Sequence, residues 1–274
     1  MNNYSKSLFN LINNNIALNG KEIKIGREKY LKDMADDLSE KDLLLISGKA
    51  GCGKSALVKE FYEHCKSPFL MFKADDFNVN SIQEFYTRFN LTLDEFRDFY
   101  DDSEEKFIFI DSAEKISHLK NQYTIEEFLK LMVHDDWKII LTSRNDYSDI
   151  LRNNLNINHR LKLNEIKLPE LTTDELEGIF RDNNLKMPIN SNIKNPLQNL
   201  FYLSLYLSNI ENIDSENKDE LKSILWEIII KQSYQQSDNH HEKREHCFIE
   251  FVKNRSINPH FKFKIDNVCS KILN

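Results

Sequence analysis

One stretch decides the fold of this chain: Gly48-Lys49-Ala50-Gly51-Cys52-Gly53-Lys54-Ser55. It fits the pattern GxxxxGK[ST] in full. A short apolar run, Leu43–Ile46, precedes it, and apolar residues at helical spacing follow it. Glycine is scarce elsewhere, since the whole chain has only 6 glycines and this stretch holds three of them. The flanks and the glycines together predict a phosphate-binding loop (P-loop) between a buried strand and a helix.

The residue types of the loop fit the chemistry of a nucleoside triphosphate. Glycines let successive backbone N–H groups curl around phosphate oxygens, and the start of the helix adds its positive end. In such loops the lysine, here Lys54, reaches the β- and γ-phosphates, and the hydroxyl of Ser55 binds Mg²⁺. The predicted nucleotide contacts are Gly48, Lys49, Ala50, Gly51, Cys52, Gly53, Lys54, Ser55 and Ala56.

A second ligand for the magnesium ion is expected at the end of another buried strand. The run Phe107–Ile110 places Asp111 at the carboxyl edge of a strand, where open α/β sheets bind ligands. We therefore predict that Asp111 belongs to the magnesium site. Glu114, three residues later, has two interpretations: it polarises the attacking water as a catalytic residue, or it is an acid in the first turn of a helix.

An arginine follows the next strand-like run, in Leu141-Thr142-Ser143-Arg144. If this strand lies between the P-loop strand and the Asp111 strand, Arg144 is placed to sense the γ-phosphate. The alternative is an arginine that is merely solvated at a strand exit.

Strand-like and helix-like patterns alternate up to about residue 168, and only helical patterns follow. This alternation indicates a three-layer α/β sandwich with a parallel sheet. The predicted parts are an N-terminal helix or arm (1–20), a P-loop nucleotide-binding domain (21–168), a helical domain (169–212) and a winged-helix-like or helical region (213–274). Five strands are predicted at Leu43–Ile46, Phe69–Phe72, Phe107–Ile110, Ile139–Leu141 and Leu161–Ile166. Two capping boxes are predicted, Thr124 with Glu127 and Thr172 with Glu175.

Composition narrows the function classes. The net charge of −7 does not favour a polyanion as partner, so contact with nucleic acid is not expected to dominate. No stretch approaches the roughly 18 apolar residues of a membrane span, and the polar N-terminus lacks a signal peptide's centre, which favours a cytoplasmic protein. The 4 cysteines are scattered and are expected to be reduced. A cluster at His240, His241, His246 and Cys247 fits no standard metal site and reads better as a solvated loop.

The motifs as a series resemble the STAND class of P-loop NTPases, which includes the NACHT and AP-ATPase families. Ile25-Gly26-Arg27-Glu28 resembles the hhGRE segment of that class, and Leu168-Pro169-Glu170-Leu171 resembles the link to its helical domain. Asn195-Pro196-Leu197 is similar to the GxP motif, with Asn195 in place of glycine. Phe107–Glu114 resembles the Walker B segment, and Leu141–Arg144 resembles the "TSR" sensor. The resemblance spans about residues 23 to 235.

This resemblance implies that Ile25, Arg27 and Pro196 contact the nucleotide, and that adenine is the base. It implies a regulatory ATPase with ATP or ADP and Mg²⁺ as cofactors, with roles in defence or signalling. It also implies that the ATP state forms a homo-oligomer, or that the chain works within a larger multidomain protein. Lys115 stands where many members carry a second acid, so slow hydrolysis is expected.

Two other functions fit parts of the sequence. An AAA-type ATPase acting as a motor or loader on nucleic acid shares the hhGRE segment, but it needs a strong acidic pair and an arginine supplied by a neighbouring subunit. A small-molecule kinase needs an arginine-rich lid, which the sequence lacks.

Overall fold

The computed structural model describes residues 1–155 and 163–210, together with residues 221, 225, 249, 250, 252 and 253. The chain divides into two units. The first comprises Met1–Leu171 and Asn199–Phe201, and the second comprises Thr172–Gln198 and the chain from Tyr202 onward. Most of the predicted winged-helix region, and the histidine-rich cluster, lie outside the described residues.

The helices and strands follow one another along the first unit. In chain order they are α1 (Asn2–Asn10), β1 (Asn15–Leu18), β2 (Lys21–Lys24), α2 (Glu28–Glu40), β3 (Leu43–Ser47), α3 (Lys54–His64), β4 (Phe69–Lys73), α4 (Ile82–Thr87), α5 (Leu93–Tyr100), β5 (Lys106–Asp111), α6 (Tyr123–His134), β6 (Trp137–Ser143), α7 (Asn145–Asn153) and β7 (Leu163–Lys167).

A parallel sheet of five strands, in the order β4-β5-β6-β3-β7, forms the middle layer of this unit. Side chains alternate across a strand, so each strand contributes to both faces. Leu43 and Leu45 of β3 pack with residues of α4 to α7, whereas Leu44 and Ile46 pack with residues of α1 to α3. The predicted α/β sandwich with a parallel sheet is confirmed.

The order of the strands is the one that the prediction for Arg144 as a γ-phosphate sensor requires. β6 lies between β3, which leads into the P-loop, and β5, which ends in Asp111. The carboxyl ends of all three strands therefore meet at one edge of the sheet.

The N-terminal segment contains a hairpin that the prediction of a helix or arm over residues 1–20 did not include. β1 and β2 pair antiparallel around Asn19-Gly20, and both turn residues have positive φ, at 47° and 76°. Asn-Gly between two short strands is the strongest local signal for such a turn, and it was available in the sequence. The hairpin also lies across the boundary predicted after Gly20.

Helix α1 covers the edge strand β4. The hydroxyl of Ser5 accepts a hydrogen bond from Met71 N–H at 2.9 Å and donates one to Met71 O at 3.2 Å. Ser5 is buried, so these two bonds satisfy backbone groups that an open sheet edge would leave unpaired.

The two predicted capping boxes have different outcomes. Thr172 and Glu175 form one at the start of α8 (Thr173–Asp182), which confirms that prediction. The box at Thr124 is wrong, because α6 already begins at Tyr123 with no side-chain cap. Thr124 is buried instead, and its hydroxyl donates to Val79 O at 3.2 Å, so tertiary packing overrides the local pattern.

The described part of the second unit is helical. It contains α8, α9 (Ser191–Lys194), a 3₁₀ turn over Asn195–Gln198 and most of α10 (Leu200–Leu207). Its apolar residues pack together, with the rings of Phe180 and Tyr206 6.3 Å apart. Among the described residues of both units, no helix has the length and apolar character needed to cross a membrane.

Candidate nucleotide site

The P-loop runs from the end of β3 to the start of α3 and is held by a bond to β6 and by its own lysine. Gly48 N–H donates to Ser143 O at 3.2 Å. A Cβ on Gly48 would lie 2.6 Å from Cys52 Sγ and 2.7 Å from Leu168 O, so only glycine fits this close approach. Lys54 Nζ donates to the carbonyl oxygens of Gly48 and Lys49, both at 2.9 Å. The ammonium is thus held against the loop, from where it can reach a bound phosphate.

Three side chains from three elements meet beside the loop. Asp111 Oδ1 accepts hydrogen bonds from Ser55 Oγ at 2.8 Å and from Thr142 Oγ1 at 2.7 Å. Asp111 ends β5, Thr142 is the second-last residue of β6, and Ser55 lies in the first turn of α3. The structure therefore brings the two predicted magnesium ligands into direct contact.

Thr142 was quoted in the sensor segment but was not predicted as a site residue. Its hydroxyl also accepts a bond from Ser112 N–H at 3.1 Å, and Ser112 has a left-handed backbone with φ of 60°. A non-glycine residue in that region is strained, so the bond helps to hold the turn that follows Asp111. No local pattern would have identified this role, because it depends on the neighbouring strand.

Glu114 and Arg144 form an ion pair, with Glu114 Oε1 3.4 Å from Arg144 Nε. Glu114 lies in the first turn of a 3₁₀ segment, and its side chain is only 15% exposed, against 57% for that of Arg144. The other carboxylate oxygen, Glu114 Oε2, is buried and has no hydrogen-bond partner among the described residues. Lys115, at the position where many members of the STAND class carry a second acid, pairs with Asp75 at 2.6 Å.

Arg27 lies close enough to the P-loop for its charge to act on the Cys52 thiol. It is 5% exposed, and its guanidinium lies 5.6 Å from the centre of the Tyr30 ring and 3.5 Å from Pro169 O. Burial raises the pKa of the Cys52 thiol, while the charges of Lys54 and Arg27 act in the opposite direction. The thiol at this point of the P-loop is therefore a poor nucleophile. Ile25 is buried in the same unit.

Pro196 belongs to the second unit. There it lines a cavity of about 410 Å³ together with residues of the same unit, among them Asn195, Tyr202 and Leu221. Its predicted contact with the nucleotide stays a prediction.

The donor set suits magnesium and nucleotide. Mg²⁺ takes oxygen ligands and is usually bound through one or two carboxylates plus phosphate oxygens, rather than by an all-protein cage. Ser55 and Asp111 supply such oxygens next to the loop. The part of the chain described contains no cluster of three or more His, Cys, Asp or Glu that would form a cage.

A glycine loop between a parallel strand and a helix, with Lys54, Ser55 and a strand-end Asp111, defines a P-loop NTPase. The family model described as Novel STAND NTPase 3 matches residues 27–185, which is more than half of the 274 residues. The chain belongs to this family, and the predicted STAND class is confirmed.

Solved structures similar to this chain have low sequence identity, and one of them, with a TM-score of 0.56, shares its fold. The Walker-type ATPase PABY2304 of Pyrococcus abyssi is 16% identical, with a TM-score of 0.56, over 92% of this chain and 80% of that chain. The Aeropyrum pernix ORC2 protein, in ADPNP–ADP complexes, is 12% identical, with a TM-score of 0.47, over 89% of this chain and 77% of that chain. A DNA replication initiation factor is 18% identical, with a TM-score of 0.40, over 75% of this chain and 59% of that chain. No curated protein sequence matches the chain.

Proposed function

We propose that this chain is a regulatory ATPase in which the bound nucleotide, ATP or ADP with Mg²⁺, controls conformation and assembly, and in which hydrolysis is slow. Ser55 and Asp111 would hold the magnesium ion, and Lys54 would neutralise the β- and γ-phosphates. Magnesium would supply charge neutralisation of the phosphates when bound. The setting in signalling or defence rests on the resemblance to the STAND class.

The observation that carries this proposal is the Glu114–Arg144 pair beside the Ser55–Asp111 contact. Arg144 is the residue proposed to bind the γ-phosphate, and Glu114 is the residue proposed to polarise the attacking water. While the two side chains form this ion pair, Arg144 is not free to bind the γ-phosphate and Glu114 is not free to polarise the water. A triphosphate that attracts Arg144 would release Glu114, so a change of ion-pair partner would both report the nucleotide and limit the rate.

The first experiment measures assembly and turnover together. The protein is sized by light scattering with Mg²⁺ and either ADP or a non-hydrolysable ATP analogue, while phosphate release is followed with ATP. We expect a larger species only with the triphosphate, and turnover well below the roughly 10 s⁻¹ that is typical of enzymes. The same size in both states refutes nucleotide-controlled assembly, and rapid turnover favours a motor acting on nucleic acid.

Lys54→Ala is the control that ties both readouts to the P-loop. Because the Lys54 ammonium lies against the loop, where it can reach a bound phosphate, its loss should abolish triphosphate binding while the fold remains. Lys59→Ala is the matched variant, since Lys59 lies on the same helix but bonds to Ile12 O and pairs weakly with Glu63. A folded Lys54→Ala protein with unchanged ATP affinity would overturn the site.

A further inference from the structure

Three residues of the chain return to the P-loop. Asn199–Phe201 belongs to the first unit, although the residues on both sides of it belong to the second. Asn199 is only 7% exposed, and nothing in the local sequence marks it as more than a residue before a helix. Its contacts show a more specific arrangement.

The segment binds two consecutive carbonyl groups of the P-loop. Asn199 Nδ2 donates to Ala50 O at 2.8 Å and to Glu170 Oε1 at 2.9 Å. Phe201 N–H donates to Gly51 O at 3.1 Å and to Asn199 Oδ1 at 3.2 Å. The NH₂ group of the Asn199 side chain thus donates to the loop, and its oxygen accepts a bond at the start of α10.

These bonds set the direction of the loop's N–H groups. In a trans peptide the C=O and the following N–H point in opposite directions. When Asn199 holds Ala50 O, the N–H of Gly51 therefore faces away from Asn199. The bond from Phe201 to Gly51 O fixes the next peptide, whose Cys52 N–H donates to Lys49 O within the loop at 3.3 Å. P-loops bind phosphate through backbone N–H groups, so the segment holds the loop from the side opposite to the Gly51 N–H.

Gly51 shows how close this contact is. It has φ of +79°, and a Cβ on it would lie 2.5 Å from Asn199 Oδ1 and 2.8 Å from Phe201 Cβ. The glycine at this position is required both by the backbone angle and by the approach of the segment.

Glu170 connects the same segment to a second point on the loop. Its carboxylate accepts a bond from Asn199 and pairs with Lys49. Partial burial would raise the pKa of Glu170, but the bonds from Lys49 and Asn199 outweigh it and hold the pKa below its usual value. Glu170 is therefore ionised at neutral pH and acts only as an acceptor.

We propose that Asn199 is a positioning residue for the phosphate loop: by donating to Ala50 O and Glu170, it holds the loop in the conformation that binds the phosphates of the nucleotide. The inference rests on the proposed function, since it names a further determinant of the same site. The competing explanation is that Asn199 only caps α10, a role for which asparagine, aspartate and serine are equally suited.

Two variants separate these explanations. Asn199→Asp keeps an oxygen that can cap α10, but it cannot donate to Ala50 O and it places a second carboxylate beside Glu170. Asn199→Ala loses both roles. Gln198→Ala is the matched control, because this neighbouring amide bonds to Thr173 of the second unit.

The test is calorimetric titration of the full chain with Mg·ADP and with a non-hydrolysable ATP analogue, alongside thermal unfolding without nucleotide. A positioning role predicts that affinity falls about 5- to 30-fold in Asn199→Ala, from the worth of one or two hydrogen bonds. It predicts at least the same loss in Asn199→Asp, and no loss in Gln198→Ala. A capping role predicts wild-type affinity and stability in Asn199→Asp, and that result would overturn the proposal.

If Asn199→Ala does not fold, Asn199→Asp and Glu170→Gln still decide the question. The Glu170→Gln variant would keep an acceptor for Asn199 and lose the charge that holds Lys49, so a loss of up to about fivefold is expected. Unchanged affinity in Asn199→Asp refutes the inference, and a loss in Glu170→Gln alone would then show only a role for the pair with Lys49. Wild-type protein that binds no nucleotide refutes the proposed function itself. Wild-type binding with equal binding by Asn199→Asp refutes this inference alone.

Discussion

Replacing Thr142 with valine tests whether the contact between β5 and β6 serves the proposed magnesium site. The two side chains have nearly the same shape, so the change removes a hydroxyl and little else. Thr142 is 1% exposed, and its hydroxyl donates to Asp111 and accepts from Ser112 N–H. Valine can do neither.

The expected loss of stability follows from these two bonds. A hydrogen bond to an ionised carboxylate contributes about 1.5–3 kcal/mol, and a half-buried N–H left without an acceptor costs about 1 kcal/mol or more. The additional buried methyl group offsets about 0.8 kcal/mol. Thr142→Val should therefore lower the free energy of unfolding by about 2–3 kcal/mol, which corresponds to a fall in Tm of about 4–12 °C for a unit of this size.

The effect on magnesium distinguishes a site residue from a structural one. Without the bond from Thr142, Asp111 loses one of the two groups that orient its Oδ1. Loss of such an orienting partner typically weakens metal affinity 10- to 100-fold. We expect the Mg²⁺ concentration for half-maximal nucleotide binding to rise about tenfold, measured by titrating Mg²⁺ at fixed nucleotide concentration.

Thr124→Val is the matched control. Thr124 is also fully buried, and its hydroxyl also makes two hydrogen bonds, to Val79 O and with Asn121, but neither bond involves the P-loop or Asp111. This variant should lose about 1–2 kcal/mol of stability and keep the wild-type dependence on Mg²⁺. If Thr142→Val shows the same Mg²⁺ dependence as Thr124→Val, the assignment of Thr142 to the magnesium site is wrong.

Two further predictions concern the residue proposed to polarise the attacking water and a partly buried ion pair. Glu114→Gln should preserve nucleotide binding and slow single-turnover phosphate release about 100-fold, because an amide cannot take a proton from water. Unaltered turnover would mean that Glu114 is only an acid in the first turn of a helix. Asp135 accepts two hydrogen bonds from Arg97, at 2.6 and 3.1 Å. Burial would raise the pKa of Asp135, but Arg97 and His134 outweigh it and lower that pKa below 3.8. The stabilisation is therefore present above pH 3.8 and is lost as the pH falls through the lowered pKa. In urea unfolding, Asp135→Asn should be less stable than wild type at pH 7, and the difference should disappear in acid; a gap that persists there contradicts the ion-pair explanation.

The features that could be predicted from the sequence were those that depend on a local pattern of apolar residues or on a local motif. Four-residue apolar runs such as Leu43–Ile46 predicted strands buried on both faces, and the observed β3 extends the run by one residue. The P-loop could be predicted equally well, because glycine, lysine and serine at this fixed spacing are typical of a loop that binds phosphates and Mg²⁺. Thr172 with Glu175 was predicted correctly because a capping box is closed within four residues.

Two of the features that were not predicted share a cause, a bonding partner far away in sequence. Thr124 has the pattern of a cap, but its hydroxyl bonds to Val79 O, 45 residues away in sequence. Helix α1 was predicted without the role that Ser5 has at the edge of β4, because the partner, Met71, is equally remote. The hairpin at Asn19-Gly20 is different, since its signal was local and was overlooked.

The sequence by itself determined that the chain has a P-loop, an α/β sheet and a strand-end aspartate, because these depend on residue type and on spacing along one element. Only the tertiary structure decided which strand lies between which, and so which side chains meet. The placement of β6 between β3 and β5 joins Thr142 to Asp111 and Arg144 to Glu114. The return of Asn199 to the loop joins residues 149 positions apart. Hydrogen bonds and ion pairs act over a few ångströms, and a chain's local pattern does not record which distant residue will come that close.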